Sequence, residues 1–240
     1  MLDFVQVPQK DRIIVALDCD MSQALDLAEA LQGQASWLKV GMTLYYSQGP
    51  RIVYELKEMG YKVFLDLKFH DIPHQVRGAA ASATRNGADM ITMHALGGAA
   101  MMQAAVEGAQ AAADDFGLDL PIMLGITVLT SMDAASLAAC GIERGVNDQV
   151  LEMAKQAQAA GLAGVVASPQ EAAALRTLLG EDAYIVTPGV RPAGAELGDQ
   201  SRVASPADAF SAGASHIVVG RPITQASDPA AAFEAIAQSL

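Results

Sequence analysis

The chain predicts an α/β fold, a (β/α)8 barrel forming one domain over residues 1–240, and three observations carry that prediction. Apolar runs of five to eight residues recur eight times. Each gives way to a Gly, Pro or Asp turn signal and then to an alanine-rich segment of helical period, which is the alternation of βα units on a parallel sheet. The length of 240 residues suits such a barrel, which typically takes about 250. An open doubly wound sheet is the rival architecture. It normally carries a glycine-rich dinucleotide loop after its first strand, whereas here that strand runs into Asp18-Cys19-Asp20-Met21.

The elements follow in order. Residues 13–18 form the first strand, and Ser22 is placed to cap a helix over 23–31 that ends at Gly33. Strands at 37–41 and 62–69 come next, with Gly60 closing the intervening helix and Pro73 placing the end of the third strand before it. Gly87 precedes the fourth strand, 90–95. The fifth covers 122–129, and Gly161 separates the helix behind it from the sixth, 164–168. There Ser168-Pro169 sets a capping residue before a proline at the first helical position. The seventh and eighth strands are 184–189 and 216–221, with Gly213 ahead of the last. Between them residues 192–205 show no period, and a loop of that length in a compact domain reads as a lid.

Composition narrows the function. Fifteen basic against 27 acidic residues leave a net charge of −12, with no basic block, which argues against nucleic acid and against an anionic membrane surface as partners. An anionic substrate must then be drawn in by a local cationic pocket. The longest uncharged stretch, 90–106, contains His94 and Gly97-Gly98 and reads as strand, turn and helix start rather than a membrane span. Cys19 and Cys140 match no metal spacing, and the N-terminus has neither the basic start nor the apolar core of a signal peptide. A cytoplasmic protein is expected.

Barrel sites gather at the carboxyl ends of the strands. Asp18 ends the first strand, Lys39 lies in the second, Asp66 and Lys68 end the third, and His94 ends the fourth. A charge at one strand end is commonly just solvated, but a series alternating in sign over consecutive strands is not. Asp66 and Lys68, two apart in a strand, project to the same face, and opposite charges there are costly unless they work as a pair. A lysine beside a carboxylate stays ionised and can act as a general acid. Asp71 has left the strand; it either closes the network locally or reaches across an interface, and spacing does not choose between these.

A second cluster points to phosphate. Thr187-Pro188-Gly189-Val190-Arg191-Pro192 follows the seventh strand and Val219-Gly220-Arg221-Pro222 the eighth, the two loops that form the anion site in many barrels. Glycine admits an anion to backbone N–H groups and arginine clamps it. Thr127, Thr130 and Ser131 place hydroxyls at the end of the fifth strand, where they serve either a polar ring or ordinary strand and cap bonds. His70, Asp71 and His74 are the one cluster near metal spacing, and helix-start contacts explain it better, so no metal is expected. Trp37 and Met90, Met93, Met101 and Met102 read as core.

Asp66-Leu67-Lys68-Phe69-His70-Asp71-Ile72-Pro73 resembles the signature of the orotidine 5′-phosphate decarboxylase family in its bacterial form. The resemblance continues through Val-Ala-Leu-Asp18, Leu-Lys39-Val-Gly41, Thr-Val-Leu-Thr130-Ser131-Met, Thr-Pro-Gly-Val-Arg191-Pro and Val-Gly220-Arg221-Pro-Ile, along the whole chain in order. It implies a homodimeric barrel that converts orotidine 5′-monophosphate to uridine 5′-monophosphate with no metal or organic cofactor. It also implies Lys68 as proton donor to C6 within a Lys39, Asp66, Lys68, Asp71 network, with Asp71 supplied by the neighbouring subunit. Asp18 and Lys39 would bind the ribose, Thr130 and Ser131 would lie toward the pyrimidine, and Arg191, Gln200, Gly220 and Arg221 would hold the phosphate. Two other readings compete. One is a related barrel that acts on a sugar phosphate through a metal-stabilised enediolate and shares the Asp-x-Lys-x-x-Asp spacing. The other is a non-catalytic phosphate-binding barrel, which has no use for two lysines beside Asp66.

Overall fold

The eight apolar runs pair edge to edge in chain order, all parallel, and the ring closes where the eighth strand bonds the first. This computed structural model describes residues 4–191 and 204–240. Its strands are β1 Ile13–Leu17, β2 Trp37–Gly41, β3 Lys62–Phe69, β4 Met90–His94, β5 Ile122–Ile126, β6 Gly164–Val166, β7 Tyr184–Thr187 and β8 His216–Val219. The helices outside them are α1 Met21–Leu31, α2 Met42–Gln48, α3 Arg51–Glu58, α4 Pro73–Arg85, α5 Ala99–Phe116, α6 Ala134–Ala139, α7 Val146–Ala159, α8 Ala172–Leu179, α9 Pro206–Ser211, α10 Arg221–Thr224 and α11 Pro229–Gln238.

Period-two alternation splits the core into two shells. Although β1 is buried along its whole length, Ile14 and Ala16 pack inside the barrel with Trp37, Phe64, Leu124 and Val218, while Ile13, Val15 and Leu17 pack outward against the helices. Trp37 and the four methionines named above are core, as their sequence context requires. Phe4 closes the amino-terminal end of the barrel, its ring 5.1 Å from Tyr184 and 6.4 Å from His216. This apolar floor leaves the carboxyl end as the place where polar side chains gather.

Local signals account for most boundaries. Gly33, Gly60, Gly87, Gly161 and Gly213 all take positive φ, from 78° at Gly33 to 100° at Gly213, where a helix hands over to the next strand. Ser168 caps as expected, accepting from the Gln170 N–H. Ser22 does not cap α1: the helix starts at Met21, two residues earlier than expected, and the carboxylate of Asp20 accepts from the Gln23 N–H at 3.0 Å. An acidic side chain at the cap suits the positive end of the helix, and Ser22 falls inside the first turn. No helix among the described residues is long and apolar enough to cross a membrane.

Candidate active site

β1, β2 and β3 end side by side, which brings the charged residues of three strands together. Lys39 is buried, and its Nζ donates to Asp18 Oδ1 at 3.0 Å and lies 3.9 Å from Asp66 Oδ2. Lys68 Nζ donates to the same Asp66 oxygen at 2.7 Å. One buried carboxylate thus stands between two ammonium groups, an arrangement that offsets its desolvation. Burial pushes the Asp66 carboxyl up, but Lys39, Lys68 and the hydrogen bonds from Lys68 and Thr92 outweigh it and hold it below the ordinary range. Gly41 makes room for the pair, since a Cβ there would sit 3.1 Å from Lys39 Nζ and 3.2 Å from Asp18 Oδ1.

The backbone at this strand end is unusual. Lys68 has φ 54°, the one positive value outside glycine among the described residues. A left-handed backbone costs a bulky residue about 1–3 kcal/mol and persists where surrounding contacts over-determine it. Asp66 and Lys68 therefore meet, but through a distortion of β3 rather than through even alternation.

His94 ends β4, half-buried, its ring 5.2 Å from that of His70. Burial, then His70 and Lys68, hold its pKa below the usual histidine value against an opposing pull from Asp66, which favours a neutral ring.

The network opens into a cavity of about 470 Å³, within the size range of small-molecule sites. Its floor is apolar, with Ala16, Phe64, Ile126 and Val218, and its rim carries Asp18, Lys39, Asp66, Lys68, Thr130, Gly189, Arg191, Gly220 and Arg221. The arginine side is tied down where Val190 pairs with Ala204 and the Arg191 N–H donates to the Ala204 carbonyl at 3.0 Å.

Two expected residues stand apart from the cavity, and a third is not among those described. Ser131 is exposed and does not line the cavity that Thr130 reaches, because the chain turns between them. Asp71 is exposed, outside the cavity of its own chain, and its carboxylate accepts from the Ile72 N–H. Gln200, with most of the expected lid loop, lies outside the described residues. Thr127 donates its hydroxyl to the Val166 carbonyl at 2.8 Å and belongs to the barrel wall. Sequence reading missed Gln225 at the rim and Thr92 beneath the network. A threonine inside the otherwise apolar Met90-Ile91-Thr92-Met93 was the available signal for the second. Among the described residues no three His, Cys, Asp or Glu side chains converge as a metal site requires.

A closed parallel barrel that sets an ion network and a ligand-sized cavity at the carboxyl ends of its strands has the construction of a (β/α)8 enzyme. Comparison with known proteins narrows the class. The chain belongs to the orotidine 5′-phosphate decarboxylase / HUMPS family, which it matches over residues 11–236. The orotidine 5′-phosphate decarboxylase of Moorella thermoacetica is 48% identical over 240 residues, covering 99% of this chain and 95% of that protein. The protein of the same name from Cutibacterium acnes is 49% identical over 227 residues, 94% of each chain. The crystal structure of the Lactobacillus acidophilus orotidine 5′-phosphate decarboxylase superposes with a TM-score of 0.84 at 39% identity, covering 95% of this chain and 98% of that one.

Proposed function

We propose that this chain decarboxylates orotidine 5′-monophosphate to uridine 5′-monophosphate, a step of de novo pyrimidine biosynthesis, without metal or organic cofactor. The observation that carries the reading is the alternating network Asp18, Lys39, Asp66, Lys68, on the rim of the same cavity as Gly189, Arg191, Gly220 and Arg221. The full-length relatives that bear the decarboxylase name support it.

In this reading the arginines, the Gly220 backbone and Gln200 hold the phosphate, while Asp18 and Lys39 hold the ribose hydroxyls. Thr130 serves the pyrimidine side from the cavity rim, with Ser131 next to it in the turn. The bond from C6 to the carboxylate breaks heterolytically, carbon dioxide leaves, and the electron pair stays on C6, poorly delocalised into the ring. The Lys68 ammonium stabilises that charge where it develops and gives C6 its proton, the N–H bond breaking as the C–H bond forms. Asp66 fixes the ammonium. Asp71 enters from a second copy of the chain to complete the network. Binding energy at the phosphate, remote from C6, closes the site and orients the ring, so a substrate lacking phosphate loses turnover as well as affinity.

The test is the loss of substrate absorbance in excess chelator, with the parent chain and with Lys68→Ala. The parent is expected to be fully active and the variant reduced by about 10³-fold or more, given the worth of a positioned general acid and charge stabiliser. Binding of uridine 5′-monophosphate to the variant remains measurable. Near-normal turnover in Lys68→Ala, or activity that disappears with chelator and returns with a divalent metal, would sink the reading.

A further inference from the structure

β3 and β4 hold parallel register on both sides of a mismatch, with Leu65 opposite Ile91 and Phe69 opposite Met93. Asp66, Leu67 and Lys68 thus stand against the single residue Thr92, which makes this a bulge. The Lys68 N–H, displaced from an even ladder, donates to Thr92 Oγ1 at 2.9 Å. The hydroxyl has one proton of its own, and it goes to Asp66 Oδ1, also at 2.9 Å. Thr92 is 0% exposed, so no water replaces either bond. With Oδ1 fixed from beneath, the other carboxylate oxygen of Asp66 is the one that meets Lys68 at 2.7 Å and Lys39 at 3.9 Å.

We propose that Thr92 is a positioning residue for the reaction: its hydroxyl pins the left-handed backbone of Lys68 and the rotation of the Asp66 carboxylate, so that the Lys68 ammonium stands where C6 needs its proton. The inference rests on the decarboxylase reading for the role of Lys68, while the pinning itself rests on geometry alone. Valine in place of Thr92 fills the same space but leaves a buried N–H without its acceptor and a buried carboxylate oxygen without its donor, two groups that then seek other partners by relaxing the bulge. A merely space-filling Thr92 tolerates that change.

The experiment compares Thr92→Val and Thr92→Ser with the parent, by steady-state kinetics on orotidine 5′-monophosphate, by affinity for uridine 5′-monophosphate and by crystal structure. Thr92→Val is expected to lower kcat about 10–100-fold, the cost of misplacing a reacting group by a fraction of an ångström to an ångström. Nucleotide affinity stays near the parent's, because the phosphate loops are untouched. The acid limb of the pH profile of kcat/KM moves to higher pH, since Asp66 has lost a hydrogen bond that favours its ionised form. Thr92→Ser, which keeps the hydroxyl, recovers most of kcat. If Thr92→Val does not fold, Thr92→Ala removes the hydroxyl without adding bulk and takes its place. A hydroxyl-free variant with parental kcat and pH profile overturns the proposal, and so does a serine variant as impaired as the hydroxyl-free one. A crystal structure of the hydroxyl-free variant in which Lys68 keeps its positive φ and its contact with Asp66 overturns it whatever the activity. A parent chain with no decarboxylase activity overturns the functional reading instead, and that structural comparison still decides the pinning.

Discussion

His216 is a buried histidine that the proposed chemistry does not use. It sits at the closed end of the barrel, stacked on Tyr184 with ring centroids 5.7 Å apart and edge-on to Trp37 at the same distance, and its Nδ1 lies 3.2 Å from Ser215 Oγ. Burial, then the charges of Arg12 and Lys62, push its pKa down to about 3. The native state keeps the ring neutral, while the unfolded chain protonates it below 6.5. Unfolded protein therefore binds more protons between those two values, and stability falls as pH drops through that window by about 1.4 kcal/mol per pH unit. His216→Phe should lose roughly 2 kcal/mol less than the parent between pH 7 and pH 5, as measured by urea unfolding at both pH values. An identical pH dependence in the two proteins would show that another group controls acid stability. The contrast with the active site shows what sequence reveals at this scale. Lys39, Asp66 and Lys68 stand out because charge is rare in an apolar strand. Gly41 does not, because glycine is ordinary there, and Thr92 shows only as a hydroxyl in an apolar run, its partners Asp66 and Lys68 lying across the sheet. Thr130 and Ser131 are adjacent in sequence but part at a turn, so their shared chemistry did not imply a shared location.

At the scale of elements, each strand was legible from a run of apolar residues, because a parallel strand buried on both faces has no other way to be written. Strand ends were less so: the fifth was expected to reach residue 129 but stops at Ile126, where Thr127 turns its hydroxyl to the Val166 carbonyl. The bulge between β3 and β4 left no mark in composition, since register belongs to a pair of strands. Close strand approach is equally hidden. A Cβ on Gly164 in β6 would run into the Tyr184 carbonyl of β7, where backbone is the obstacle and no side chain can swing away. Gly164→Ala should cost about 1–3 kcal/mol by overpacking. In a chain of this size that lowers Tm by roughly 2–4 °C for each kcal/mol, which calorimetry can read. An unchanged Tm would mean that β6 and β7 can separate locally without loss.

For the whole molecule, the barrel's exterior and its site pull in opposite directions: a chain of net charge −12 is proposed to capture an anion. The lysines and arginines around the cavity supply the local field that makes this workable, and the C-terminal mouth, not the surface at large, decides what enters. The proposed dimer belongs to the same face. Asp71 follows the end of β3, exposed and away from its own cavity, next to Ile72, which is 64% exposed, and Leu96 after the end of β4 is 53% exposed. Apolar side chains left bare at the strand ends fit burial against a second copy, and a two-fold contact of that kind makes each Asp71 available to the other site. The consequence is a pattern of activity that no monomer can produce. Lys68→Ala and Asp71→Ala are each expected to be nearly inactive as pure proteins. Unfolding them together in equal amounts and refolding the mixture gives hybrid dimers in half the population. In each hybrid, one site carries both lesions and the other carries none, because the intact Lys68 of one chain meets the intact Asp71 of its partner. Activity should return to about one quarter of the parental value per chain. If Asp71 acted within its own chain, every site in the mixture would keep one lesion and activity would stay at the level of the pure variants. The recovered fraction therefore reports whose site Asp71 completes.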